Sequence, residues 1–122
     1  MSRAVCIVDD DASVRKSLAN LLRSAGFESL SFAAGDVFLA SASARQAGCV
    51  LLDLRMPSMS GLAVQRELAR LGWRLPVICM SAHWDEGAVH AAMALGALAC
   101  LGKPFSDEVL LKVVEEALTG DQ

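Results

Sequence analysis

Short apolar runs alternate with longer stretches in which apolar residues recur at helical spacing, the alternation that a parallel α/β sheet produces. The runs predict five strands, at Ala4 to Val8, Glu28 to Phe32, Cys49 to Leu52, Val77 to Met80 and Ala99 to Leu101. Three of them are nearly all apolar, as strands covered on both faces must be. The second is more polar and suits an edge. Between the first two strands Val14, Leu18, Leu21, Leu22 and Ala25 fall on one helical face, and Gly26 stands where a helix would end in a left-handed residue. Further helices are predicted from about Asp36 to Ala44, from about Leu62 to Leu71 before Gly72, and from about Glu86 to Leu95 before Gly96. A fifth starts at Ser106, a good N-cap, with Asp107 and Glu108 in the first turn and Val109, Leu110, Val113, Val114 and Ala117 on its apolar face. Right-handed crossovers then give a doubly wound, five-stranded parallel sheet with helices on both faces, and ligands in such sheets bind beyond the carboxyl ends of the strands.

The length, 122 residues, suits one domain over 1–122, with 119–122 as a tail or the start of a linker. With 54% hydrophobic and 20% charged residues, the chain can bury a substantial core and gives no compositional reason to expect disorder. Its longest apolar runs are far shorter than a membrane span, and Met1 to Asp11 lacks the apolar core of a signal peptide, so a cytoplasmic protein without a membrane partner is expected. A net charge of -3 argues against direct nucleic-acid binding, which needs a basic face. Cys6, Cys49, Cys79 and Cys100 are widely spaced, form no CxxC pair and fall in the apolar runs. They read as buried free thiols.

Polar residues at the strand ends carry the chemistry. The first strand ends in Asp9, Asp10 and Asp11, the third in Asp53, the fourth in Ser81 and the fifth in Lys103 followed by Pro104. Crowded carboxylates repel one another unless a cation neutralises them, and an all-oxygen set suits Mg²⁺ better than zinc. Phosphoryl transfer needs a nucleophile, a metal to neutralise phosphoryl oxygens and donors for the remaining oxygens. Asp53 fits the nucleophile, and Lys103 and Ser81 fit the donors. Asp11 reads instead as the N-cap of the first helix.

These residues also carry a family resemblance that extends from Val5 to Ala117. Val8-Asp9-Asp10-Asp11, Leu52-Asp53-Leu54-Arg55-Met56-Pro57, Met59-Ser60-Gly61 and Lys103-Pro104-Phe105 resemble, in order and spacing, the motifs of CheY-like receiver domains of two-component response regulators. The Asp-Leu-Arg-Met-Pro and Ser-Ala-His segments are most similar to receivers of the FixJ/NarL class of transcriptional regulators. The resemblance implies strand order 2-1-3-4-5 with five helices. It also implies a phosphoryl group accepted by Asp53 from a histidine kinase or phosphotransfer protein, and Mg²⁺ as cofactor. Asp10 and Asp53 would ligate the metal directly, Asp9 through water, and Arg55 through its backbone carbonyl. The Lys103-Pro104 peptide would be cis. The implied output is a phosphorylation-promoted homodimer through the fourth helix, fifth strand and fifth helix, with any DNA-binding effector domain outside this chain. Such a domain is a switch rather than an enzyme, acting at most on its own phosphorylation and dephosphorylation.

The chain departs from the family pattern at one switch position. Receivers commonly pair an inward shift of the Ser or Thr hydroxyl with a rotamer change of an aromatic residue in the fifth strand, but this chain has Ser81 and puts Cys100 at the aromatic position. A modified switch is therefore expected, with His83 and Trp84 moving in the loop after the fourth strand and His83 tuning the lifetime of the aspartyl phosphate. His90 reads as a surface residue, and Met56, Met59, Met80 and Met93 as packing. A degenerate receiver that docks partners without phosphorylation would lack the acceptor or the lysine, and both are present. A flavodoxin-like FMN carrier would need a Ser/Thr/Gly-rich loop where this chain has three aspartates. A phosphatase of the haloacid dehalogenase type would need a second Asp where Arg55 stands.

Overall fold

A computed structural model describes residues 4–82 and 86–120. Five parallel strands, β1 (Ala4–Val8), β2 (Glu28–Phe32), β3 (Cys49–Asp53), β4 (Val77–Ser81) and β5 (Ala99–Gly102), form one sheet in the order β2-β1-β3-β4-β5. The helices are α1 (Ala12–Ser24), α2 (Gly35–Leu39), α3 (Gly61–Arg70), α4 (Glu86–Ala94) and α5 (Asp107–Thr119). The doubly wound topology expected from the alternation is thus present, and the polar β2 lies at an edge.

Side chains alternate across the pleat, so each inner strand feeds two cores. Val5, Ile7, Cys49, Leu51, Ile78 and Met80 pack with Leu18 and Leu22 of α1 and with Leu110, Val114 and Ala117 of α5. Cys6, Val8, Val50, Leu52 and Cys79 pack on the other side with Phe38 of α2, Val64 and Leu68 of α3, and Ala92 of α4. Both faces of the central strands are covered, which is why their sequences are continuous apolar runs rather than alternating ones.

Helix starts and stops follow their capping residues. Asp11 accepts from the backbone N–H groups of Ser13 and Val14, Ser60 from Ala63, and Ser106 from Val109. The three predicted terminal glycines, Gly26, Gly72 and Gly96, all take positive φ. The second helix corrects the sequence reading, because it ends at Leu39 rather than running to Ala44. A separate 3-10 turn covers Ser43–Gln46, and the Ser41 hydroxyl accepts from the Ala44 N–H. A short polar side chain that satisfies the backbone in this way competes with continued helix.

Of the four cysteines, Cys6, Cys49 and Cys79 are buried free thiols, but Cys100 is only half-buried. Burial pushes the Cys6 and Cys49 thiols up to about 12, so both are neutral at physiological pH.

Candidate functional site

Three strands deliver the acidic and basic groups to one edge. β1 ends at Val8 and hands the chain to Asp9, whose N–H still donates to Phe32 of β2 (3.1 Å). β3 and β4 each run one residue further than the apolar pattern predicted, because Asp53 pairs with Met80 and Ser81 with Gly102 in the ladder. The chemistry-bearing residue is therefore the last rung of each strand, held by backbone hydrogen bonds rather than by a loop. Asp9, Asp53 and Ser81 are all buried, and Asp10 is exposed.

Oxygens of Asp9, Asp10 and Asp53 all lie within 4.8 Å of one another. Lys103 reaches the same point from the end of β5, with Nζ 2.8 Å from Asp9 Oδ2 and 3.9 Å from Asp53 Oδ1. Its backbone N–H donates to the Ser81 carbonyl (2.7 Å), and the Lys103-Pro104 peptide is cis. Burial pushes the Asp53 carboxyl up to about 6, reinforced by the negative charges of Asp9 and Asp10. The Arg55 N–H, donating to Asp53 Oδ1 at 3.2 Å, and the Lys103 ammonium pull in the opposite direction. A crowded, partly desolvated acidic trio of this kind is an all-oxygen donor set, compatible with a divalent hard cation.

The approach of α3 to the site depends on Gly61. A Cβ there would lie 2.6 Å from the Asp53 carbonyl oxygen and 2.8 Å from Leu54 Cα, and the Gly61 N–H donates to the Leu54 carbonyl. Absence of a side chain lets the start of α3 close directly behind Asp53.

The structure brings together Asp9, Asp10, Asp53 and Lys103, with Ser81 on the adjacent strand end. Asp11 points away into its capping role, as expected. Arg55 contributes its N–H to Asp53 while its side chain is exposed. His83 and Trp84 lie outside the described residues. Sequence reading missed Arg15, whose Nη1 donates to the Asp9 carbonyl (2.8 Å) and ties α1 to the end of β1. An arginine one turn into an amphipathic helix carries no signal that distinguishes it from a solvated one.

A doubly wound parallel sheet whose acidic cluster and lysine converge beyond the carboxyl ends of its central strands defines a CheY-like α/β domain. The chain belongs to the response regulator receiver domain family, whose model matches residues 5–115. It is 42% identical over 114 residues to the response regulator protein TmoT of Ectopseudomonas mendocina, an alignment covering 93% of this chain and 52% of that protein. It is 40% identical over 113 residues to the transcriptional regulatory protein FixJ of Rhizobium meliloti, covering 93% of this chain and 55% of that one. Among solved structures, FixJ-N superposes with a TM-score of 0.90 at 36% identity, covering 100% of this chain and 98% of that chain. The chain spans about half the length of the curated relatives it matches. Receivers of two-component response regulators are phosphoacceptors that switch on phosphorylation. Among the described residues no helix is long and apolar enough to cross a membrane.

Proposed function

We propose that Asp53 is the phosphoacceptor of this receiver, taking its phosphoryl group from a phosphohistidine on a histidine kinase or phosphotransfer protein. The observation that carries the reading is the position of Asp53. It is a buried carboxylate on the last rung of β3, facing the Lys103 ammonium and clustered with Asp9 and Asp10. One Asp53 carboxylate oxygen forms the new P–O bond as the donor P–N bond breaks, and the electron pair leaves with the imidazole nitrogen. Lys103 is placed to pair with one phosphoryl oxygen, and the Ser81 hydroxyl to donate to another.

The acidic trio fits Mg²⁺, held by Asp10, Asp53 and the Arg55 carbonyl, with Asp9 acting through water. Bound there, the ion would neutralise charge on the phosphoryl oxygens. The Asp9–Lys103 ion pair keeps the ammonium over the site, and Arg15 fixes the backbone that presents Asp9 and Asp10. The domain is read as a switch rather than an enzyme acting on other molecules, since Arg55 occupies the place where a hydrolase of the haloacid dehalogenase type would carry its second Asp.

The output is read as a shift of the loop after β4 and of α4, with His83 and Trp84 moving where Cys100 has replaced the usual aromatic residue. Exposed Met93, Leu98 and Val109, on or beside α4, β5 and α5, support reading the α4–β5–α5 face as the surface for a phosphorylation-promoted homodimer. A DNA-binding effector domain beyond this chain would make the whole protein a transcription regulator, in line with the name of the transcriptional regulatory protein FixJ, and its location is read as cytoplasmic.

Intact-protein mass spectrometry after incubation with acetyl phosphate and Mg²⁺ tests the acceptor. One added phosphoryl group is expected, lost with EDTA and in Asp53→Asn. No gain in the wild-type domain would move the reading to a docking receiver that works without phosphorylation. Light scattering with and without beryllofluoride tests the dimer; a monomer under both conditions would contradict it.

A further inference from the structure

Among the described residues four buried positions are polar, and three of them, Asp9, Asp53 and Ser81, belong to the site above. The fourth, Gln65 on α3, does not. A buried amide is costly unless both of its ends are bonded, and both are bonded here. Its Nε2 donates to the Ala92 carbonyl of α4 at 3.1 Å, and its Oε1 faces the Cys79 thiol of β4 at 3.8 Å. Cys79 stands opposite Cys100, its register partner on β5.

The point of attachment on α4 is its last turn. The Ala92 carbonyl also accepts from the Ala97 N–H (3.0 Å), closing the helix end at Gly96, whose φ is 102°. Ala92 is the buried residue of α4, and the remaining side chains of that helix are half-buried or exposed. Apolar packing does little to fix this end: a cavity of about 180 Å³ lies between the ends of α3 and α4, lined in part by Gln65, Leu68, Trp73, Leu95 and Gly96. The amide bond therefore holds α4 where packing is incomplete. On its other side the network reaches Cys79, two residues before Ser81 on the same face of β4 and opposite Cys100 at the departed switch position.

We infer that Gln65 is a positioning residue that pins the C-terminal turn of α4, so that phosphorylation of Asp53 moves the N-terminal turn about a fixed end. This deepens the reading above and rests on it. Hydrogen–deuterium exchange of the domain tests it, with and without beryllofluoride and Mg²⁺. In the wild type the mimic is expected to change exchange over 86–90 while 91–97 holds its protection. Gln65→Met keeps the volume and removes the bond, and is expected to raise exchange over 91–97 by about five- to tenfold even without the mimic. Cys79→Ala leaves the Ala92 bond in place and should leave 91–97 protected; Gln65→Leu carries the same expectation as Gln65→Met if that variant does not fold.

Unchanged protection of 91–97 in Gln65→Met, loosening in Cys79→Ala equal to that in Gln65→Met, or a uniform wild-type response along α4 would each overturn the pin. Intact mass keeps the two readings apart. Absence of a phosphoryl gain would overturn the acceptor assignment and the switching part of this inference, whereas a normal gain with unaltered exchange in Gln65→Met would overturn the pin alone.

Discussion

The two faces of the sheet are built differently. One is covered by α1 and α5, each 13 residues long and each started by a side-chain cap, Asp11 or Ser106. Their leucine and valine stripes lock into the core around Ile7, Leu51 and Met80. The other is covered by α2, α3 and α4. Of these, α2 has no side-chain cap and spans five residues, and α4 is rich in alanine and contributes Ala92 to the core. Large side chains fix a helix by many dispersion contacts, and small ones leave it free to shift. The α1–α5 face is thus the scaffold that holds the carboxylates still, and α4 on the opposite face is the element that the proposed switch would move.

Core truncation gives the largest expected separation between the faces. Leu22→Ala, at a fully buried α1 position, should cost about 3 kcal/mol, whereas Met93→Ala on exposed α4 should cost under about 0.5 kcal/mol; urea unfolding measures both. Comparable losses would break the contrast.

Gly61→Ala comes next. Its methyl group meets backbone atoms of Asp53 and Leu54, which cannot rotate away, so about 1–3 kcal/mol of destabilisation is expected, together with slower phosphorylation. Normal stability and rate in that variant would show that the start of α3 does not set the site.

Asp53→Asn should stabilise the metal-free domain. Because the folded-state carboxyl is raised to about 6, the folded protein binds the extra proton between roughly pH 4 and pH 6 and is penalised once Asp53 ionises. The gain in Asp53→Asn should be on the order of 3 kcal/mol at pH 8, fall as pH drops through 6, and vanish below about pH 3. A pH-independent difference between the two proteins would contradict the stated cause. The smallest effect concerns caps: Asp11→Ala should cost about 1 kcal/mol through α1, and Ala34→Ser, which offers α2 the cap it lacks, should return a few tenths. Thermal unfolding of the pair checks both.

Legibility in the sequence follows the same division. Leu18, Leu22, Leu110 and Val114 announce α1 and α5 because large apolar residues at helical spacing have one reading. Around Ala40 to Ala44 the alanines and serines carry no periodic signal, so the end of α2 depended on the local Ser41 hydrogen bond, which no pattern reveals. The site was legible because its groups sit at strand ends, where an apolar run stops at a charged or hydroxyl residue. Reading the polar residue as the stop rather than the last rung shortened β3 and β4 by Asp53 and Ser81. Arg15 and Gln65 were invisible for another reason: their roles depend on partners, the Asp9 and Ala92 carbonyls, that are brought near only by the tertiary fold.

Borohydride reduction of the acetyl phosphate-treated domain, followed by tandem mass spectrometry, tests the central assignment most directly, since reduction turns an aspartyl phosphate into homoserine. Homoserine at position 53, formed with Mg²⁺ and absent with EDTA, is the expected result. Homoserine at position 9 or 10 instead, or at no position, would contradict it.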